Sequence, residues 1–177
     1  MAQPPDAEFD PGALLDVLGA HDVDFVLVGG LAGIAHGSAY NTFDLDIVYA
    51  RDAPNLERLV ASLRELGASL RGAPAGLPLQ LDTVTLRSGM NFTFTTSFGP
   101  LDILGDAAGA PAYHELRAAS TEAEIRGRTV RVASLDHLIA MKEAAGRPKD
   151  KLMATEYRVL SDELRAPPRP SPADPTQ

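Results

Sequence analysis

Apolar residues recur along this chain with two periods, and the changes of period divide it into elements. Leu14, Leu15 and Leu18 mark one face of a helix that opens at Asp10-Pro11-Gly12, with aspartate as cap and proline at the first helical position. Phe25 to Val28 is a short buried strand that ends at Gly29-Gly30, and Leu31 to His36 is a short helix stopped at Gly37. Phe43 to Tyr49 reads as a second strand. Leu56, Leu59, Val60, Leu63 and Leu66 keep the 3–4 spacing of an amphipathic helix over Asn55 to Leu66. After the turn-rich "RGAPAGLP", three strands are predicted in a row: Leu79–Arg87, Met90–Thr96 and Pro100–Leu104, with "RSGMN" as a hairpin turn between the first two. Ala112–Ala119 reads as a helix. Glu124–Arg126 and Thr129–Val132 flank Gly127 as a hairpin. Ser134 caps a helix that runs to about Ala145, and Pro148 opens a last one to about Leu164.

Helices and strands alternate at first, then strands cluster, then helices close the chain. That order predicts an α/β (α+β) domain with a mixed β-sheet flanked by helices and a helical C-terminal part. Residues 1–9 read as a flexible arm and 10–165 as the domain. The tail 166–177, "APPRPSPADPTQ", has five prolines in twelve residues and reads as disordered.

Composition narrows the chemistry. Hydrophobic residues make up 45% and charged residues 23% of 177, an ordinary globular balance. The net charge of −8 argues against a broad nucleic-acid-coating surface, though "IRGRTVRV" and "GRPKDK" allow a local basic patch. Without cysteine there are no disulfides, thiolate nucleophiles or thiolate metal sites. His21, His36, His114 and His137 show no zinc-binding spacing, and His36 reads as structural. No apolar run is long enough for a membrane span, and no signal peptide is expected, so a cytoplasmic location is the expectation.

The stretch "FVLVGGLAGIAHGSAYNTFDLDIV" poses the chemical question. Side chains alternate across a strand, so Phe43, Leu45 and Ile47 should share one face and Asp44 and Asp46 the other. Paired carboxylates on a half-buried strand are costly unless water or a cation reaches them. At about 7 Å between alternate Cα atoms they can converge on one cation or bridge two. Gly29-Gly30, between a strand and a helix, allows backbone N–H groups to approach a phosphate. Taken alone, GG is a turn and an Asp-x-Asp strand a solvent-facing edge. Their succession across strand, helix and strand favours a site for metal and nucleotide.

Lys142 adds a second anomaly. Leu135, Leu138 and Ile139 define the apolar face of its helix, and Lys142 falls in the middle of that face. It must snorkel, pair with an acid or point into a polar cleft.

The segment "VGGLAGIAHGSAYNTFDLDIV" resembles the signature of the DNA polymerase β-like nucleotidyltransferase superfamily, and most of all its small bacterial branch related to AbiEii-type toxins. The resemblance spans about residues 12–160. It implies a Mg²⁺-dependent enzyme (Mn²⁺ as substitute) that transfers a nucleoside monophosphate from an NTP to an acceptor hydroxyl. Asp44, Asp46 and a third carboxylate would be its metal ligands. Asp102 in "GPLDILGD" is favoured for the third, with Asp82 in "LQLDTVTL" as competitor and Asp106 assigned to a turn.

The segment "KEAAGRPKD" resembles the family's late lysine–arginine–aspartate motif. It implies that Lys142 contacts nucleotide phosphate or charge at the transferring phosphorus, that Asp150 orients it, and that Arg147 holds phosphate. Lys149 reads as solvated. Gly29 and Gly30 are further expected nucleotide contacts; Ser38 and Thr42 either join them or cap the loop and bond to the Asp44 strand. Relatives often carry an arginine near Tyr40-Asn41, which this chain lacks.

The acceptor implied by the AbiEii-type likeness is a tRNA 3′ end, with the protein as toxin and an antitoxin as partner. Other relatives modify proteins or small hydroxylated molecules. A non-catalytic nucleotide- or partner-binding module and a simple phosphohydrolase are the rival classes.

Overall fold

The computed structural model describes residues 8–74 and 80–166. The proline-rich tail beyond 166 and the arm before residue 8 lie outside them. Fourteen elements follow in the order α1 (Pro11–Ala20), β1 (Phe25–Val28), α2 (Gly29–Ala35), β2 (Leu45–Tyr49), α3 (Ala53–Glu65), β3 (Ser69–Leu70), α4 (Thr83–Ser88), β4 (Asn91–Thr96), β5 (Gly99–Leu104), α5 (Tyr113–Ala118), β6 (Thr121–Ile125), β7 (Arg128–Val132), α6 (Leu135–Ala145) and α7 (Pro148–Arg165). The strands form one mixed sheet, ordered β3-β4-β5-β2-β1-β7-β6. The α/β class with a mixed sheet and a helical C-terminal end is as the sequence predicts.

Local chemistry sets the helix starts. The Asp10 side chain accepts from the Ala13 N–H, and Ser134 accepts from the His137 N–H, each satisfying a donor that no helical carbonyl can reach. Pro148 lies in the first turn of α7, where its missing N–H costs nothing. Gly146 ends α6 in the left-handed region at φ 68°.

Strand β2 sits inside the sheet, antiparallel to β1 and parallel to β5. Leu45, Ile47 and Tyr49 point to one face and are fully buried. The Tyr49 hydroxyl donates to the Leu86 carbonyl of α4, so α4 covers that face. On the other face α2 packs against β1 and β2, and α6 packs against α2 and α7. The side chains of Asp44 and Asp46 belong to this second face.

Three local expectations are corrected, and one short strand is added. Of the strand predicted over Leu79–Arg87, Leu79 lies outside the described residues and Thr83–Arg87 belongs instead to helix α4: Asp82 caps it by accepting from the Thr85 N–H at 2.7 Å, and Leu86 is buried beneath it. Capping chemistry and one buried leucine outweigh the β-branched run Thr83-Val84-Thr85. "RSGMN" therefore joins a helix to β4 and is no hairpin turn; the hairpin is β4–β5. Strand β3, with two residues, is unannounced in the pattern. Phe43 does not join the buried face of β2: it is 74% exposed and precedes the strand.

Candidate functional site

Asp46 and Asp102 are register partners on adjacent parallel strands. Neighbouring strands lie about 4.8 Å apart, so partners on one face stand side by side. Asp44 precedes β2 by one residue. One oxygen from each of Asp44, Asp46 and Asp102 lies within 4.8 Å of the other two, and all three side chains are half-buried. Asp82, the competing third carboxylate, is spent as the cap of α4.

The cluster is electrostatically unbalanced. Burial, followed by the charges of Asp44 and Asp102, pushes the Asp46 carboxyl up to about 7. Burial also raises Asp102, against the opposing pull of the Arg71 guanidinium. The Thr42 hydroxyl donates to Asp44 Oδ1 at 2.6 Å. Among the described residues the Asp46 carboxylate forms no ion pair or hydrogen bond, and of the cations acting on it Lys142 has the larger effect, followed by Arg71. Three oxygen-bearing carboxylates with so little internal compensation form a hard donor set, which fits Mg²⁺ or Mn²⁺ better than softer ions.

Two glycines make room for this arrangement. Gly29 has φ +68°, and a Cβ there would lie 1.9 Å from Asp46 Oδ2. A Cβ at Gly30 would lie 2.7 Å from the Cβ and hydroxyl of Thr42. The glycine pair thus seats the carboxylate and the threonine that orients its neighbour.

A cleft of about 430 Å³ opens over the carboxylates, lined by Gly29, Gly30, Thr42, Asp44, Asp46 and Asp102 on the sheet side. Lys142, Arg147, Lys149 and Asp150 line the helical side. The Lys142 side chain is 17% exposed, and its Nζ lies 3.2 Å from Asp150 Oδ1. Arg147 Nε reaches Asp150 Oδ2 at 2.5 Å, with 75% of its side chain exposed. Burial disfavours the Asp150 anion, but the bonds from Arg147 and Lys142 together outweigh it and hold the carboxyl below its ordinary value. The misplaced-looking lysine therefore pairs with an acid and faces a polar cleft at once.

Nine of the ten expected site residues border this cleft. Ser38 does not: its hydroxyl donates to Glu156 of α7 at 2.8 Å, and the Ala39 N–H donates to the same carboxylate at 2.9 Å. His36 is structural, with Nε2 2.8 Å from the Ala133 carbonyl. Lys149 is exposed but at the rim rather than away from the site. Two residues escaped the sequence reading. Glu156 ties down the 38–44 loop, and Arg71 binds Asp102 Oδ1 at 2.7 Å. Neither stands out locally: one is a polar position of an amphipathic helix, the other opens a loop.

The fold has counterparts of known structure. The lincosamide antibiotic adenylyltransferase LnuA, in its lincomycin-bound form, superposes with a TM-score of 0.58 at 15% identity, over 86% of this chain and 99% of the other. The chain has a nucleotidyltransferase fold. The same fold recurs in a nucleotidyltransferase-like antigenic protein of Paracoccidioides brasiliensis (TM-score 0.54, 19% identity, 89% of this chain and 76% of the other). It recurs again in a Thermotoga maritima protein assigned as a nucleotidyltransferase (0.50, 16%, 88% and 97%). No protein-family model matches the sequence, and no curated protein does. The nucleotidyltransferase fold is thus shared at the level of backbone arrangement, with side-chain identity low throughout.

Proposed function

We propose that the protein is a Mg²⁺-dependent nucleotidyltransferase that moves a nucleoside monophosphate from an NTP to an acceptor hydroxyl. The convergence of Asp44, Asp46 and Asp102 in one cleft with Lys142 carries this reading. The three aspartates would hold Mg²⁺, or Mn²⁺ in its place. When bound, the ion supplies positive charge that activates the acceptor hydroxyl and neutralises phosphate oxygens. Gly29 and Gly30, packed against Asp46 and Thr42, would offer main-chain N–H groups to the triphosphate. Lys142, held by Asp150, stabilises negative charge that develops at the transferring phosphorus, and Arg147 offers a second donor at the rim. Thr42 orients Asp44. Pyrophosphate leaves as the acceptor oxygen bonds to the α-phosphorus.

The likeness to AbiEii-type enzymes supports a tRNA 3′ end as acceptor, with the protein as a toxin held by an antitoxin. The fold shared with LnuA supports a second reading, a small hydroxylated molecule. The net charge of −8 favours the small acceptor, because a large RNA footprint draws on a basic surface. Among the described residues no helix is long and apolar enough to cross a membrane, which is compatible with the proposed cytoplasmic setting.

The test mixes protein, Mg²⁺ and each α-labelled NTP with total RNA, cell protein and a panel of hydroxylated small molecules. Label transfer with pyrophosphate release supports the assignment and names the acceptor. Nucleotide binding without transfer to any acceptor would favour a non-catalytic module, and phosphate release a hydrolase.

A further inference from the structure

Asp102 differs from its two partners in having a cation of its own. The main-chain N–H of Arg71 donates to the Thr93 carbonyl at 2.9 Å, extending the β3–β4 pairing by one residue. Thr93 is in turn the register partner of Asp102. The guanidinium Nη2 reaches the Phe94 carbonyl at 3.0 Å and Asp102 Oδ1 at 2.7 Å. Backbone and side chain thus both anchor Arg71 to β4, and the side chain crosses β4 to end on the carboxylate of the next strand. Arg71 does not itself line the cleft.

Charge balance decides what this contact does. Three ionised carboxylates carry three negative charges. A divalent cation neutralises two, and Arg71 supplies the third without taking a place in the cleft. A carboxylate accepts at about four lone-pair sites, so Asp102 can keep Arg71 and still ligate an ion. Repulsion between guanidinium and ion opposes binding, but the surplus anion absorbs it, and the anchored carboxylate loses no rotamer freedom on binding. Hydrogen-bond partners of ligating carboxylates commonly change metal affinity by about 10–100-fold.

We infer that Arg71 is a positioning residue that fixes Asp102 as a cation ligand and so sets the divalent-cation affinity of the cleft before any nucleotide arrives. The inference rests on the reading of the cleft as a divalent-cation site.

The test is a Mn²⁺ titration of the nucleotide-free protein, with free ion read from its electron paramagnetic resonance signal. Wild type is compared with Arg71→Ala, Arg71→Lys and Arg165→Ala, and melting curves accompany each. Arg71→Ala should raise the Mn²⁺ Kd about 10-fold or more. Arg71→Lys should recover part of that loss, since an ammonium restores charge but not the forked geometry. Arg165→Ala removes an exposed arginine paired with Asp136 and should leave Kd unchanged. Arg71→Gln replaces the alanine variant where the latter does not fold. An Arg71 variant that folds and binds Mn²⁺ as tightly as wild type, or more tightly, overturns the role of Arg71 and leaves the site standing. A wild-type protein that binds no Mn²⁺ overturns both.

Discussion

Gly29, the first residue of α2, meets Asp46 of β2 so closely that a single added methyl group would lie 1.9 Å from the carboxylate oxygen. Gly29→Ala must therefore displace Asp46, and it also places alanine at φ +68°, which costs about 1–2 kcal/mol. The variant should melt several degrees below wild type and lose Mn²⁺ binding. Gly19→Ala, where an added Cβ meets nothing within 4 Å, should do neither. Differential scanning fluorimetry with and without Mn²⁺ separates the two outcomes.

Asp46 predicts a pH dependence with a definite sign. Its folded carboxyl titrates near 7, above the ordinary 3.8. Between those values the metal-free folded state holds a proton that the unfolded chain has released. Stability of the metal-free protein should therefore fall as pH rises through that window and level off above it, by on the order of 4 kcal/mol at most. Mn²⁺ affinity should rise over the same window, because the ion displaces that proton. Asp46→Asn should flatten the stability profile, melt higher than wild type at pH 8 and bind no Mn²⁺. Urea melts at a series of pH values, without metal and with it, provide the check.

Removing either end of the Lys142–Asp150 pair should have different consequences. Lys142→Met leaves Asp150 with Arg147, so the protein should fold, while nucleotide affinity in Mn²⁺ falls about 10-fold or more. Asp150→Ala strips two cations of their shared partner. Deleting one member of a buried pair costs about 3–5 kcal/mol, and the exposure of Arg147 puts this case near the lower end. Chemical denaturation and fluorescent-nucleotide binding distinguish a stability defect from a binding defect.

Glu156 makes a prediction about mobility. Its carboxylate accepts from the Ser38 hydroxyl and the Ala39 N–H, and the Ser38 oxygen accepts from the Tyr40 N–H. Glu156→Ala removes both contacts to the loop that leads to Asp44, at a cost of about 1 kcal/mol. Amide exchange at Ala39 and Tyr40 should accelerate about fivefold, with little change in β1 or β5. Unchanged exchange at Ala39 would mean that the helix does not restrain the loop.

Much of the site was legible because it obeys short periods. Alternation put Asp44 and Asp46 on one face, helical spacing singled out Lys142, cap residues marked the starts of α1 and α6, and Pro148 marked that of α7. Asp102 required more, since its meeting with Asp46 is a matter of strand register over more than fifty residues. Thr83-Val84-Thr85 misled because β-branched residues suit strands, while the decisive interaction was the Asp82 cap. Ser38, beside glycine in a loop, suited a phosphate contact or a loop cap; it caps the loop, and its partner Glu156 lies far along the chain. Arg71 was invisible for the same reason: its meaning depends on β4 running between it and Asp102. Local periods encode faces, whereas pairings between distant segments emerge only when the sheet is assembled.

The parallel pairing of β2 with β5 also separates two inheritable properties. Hydrogen bonds between those strands fix Asp46 opposite Asp102 whatever the length of chain that leaves one and returns to the other. The spacing of the carboxylates is therefore insulated from the exact length of the intervening chain, provided that Arg71 keeps its contact with Asp102 and α4 its contact with Tyr49. Chain length and carboxylate geometry are thus two properties that can vary separately in this fold.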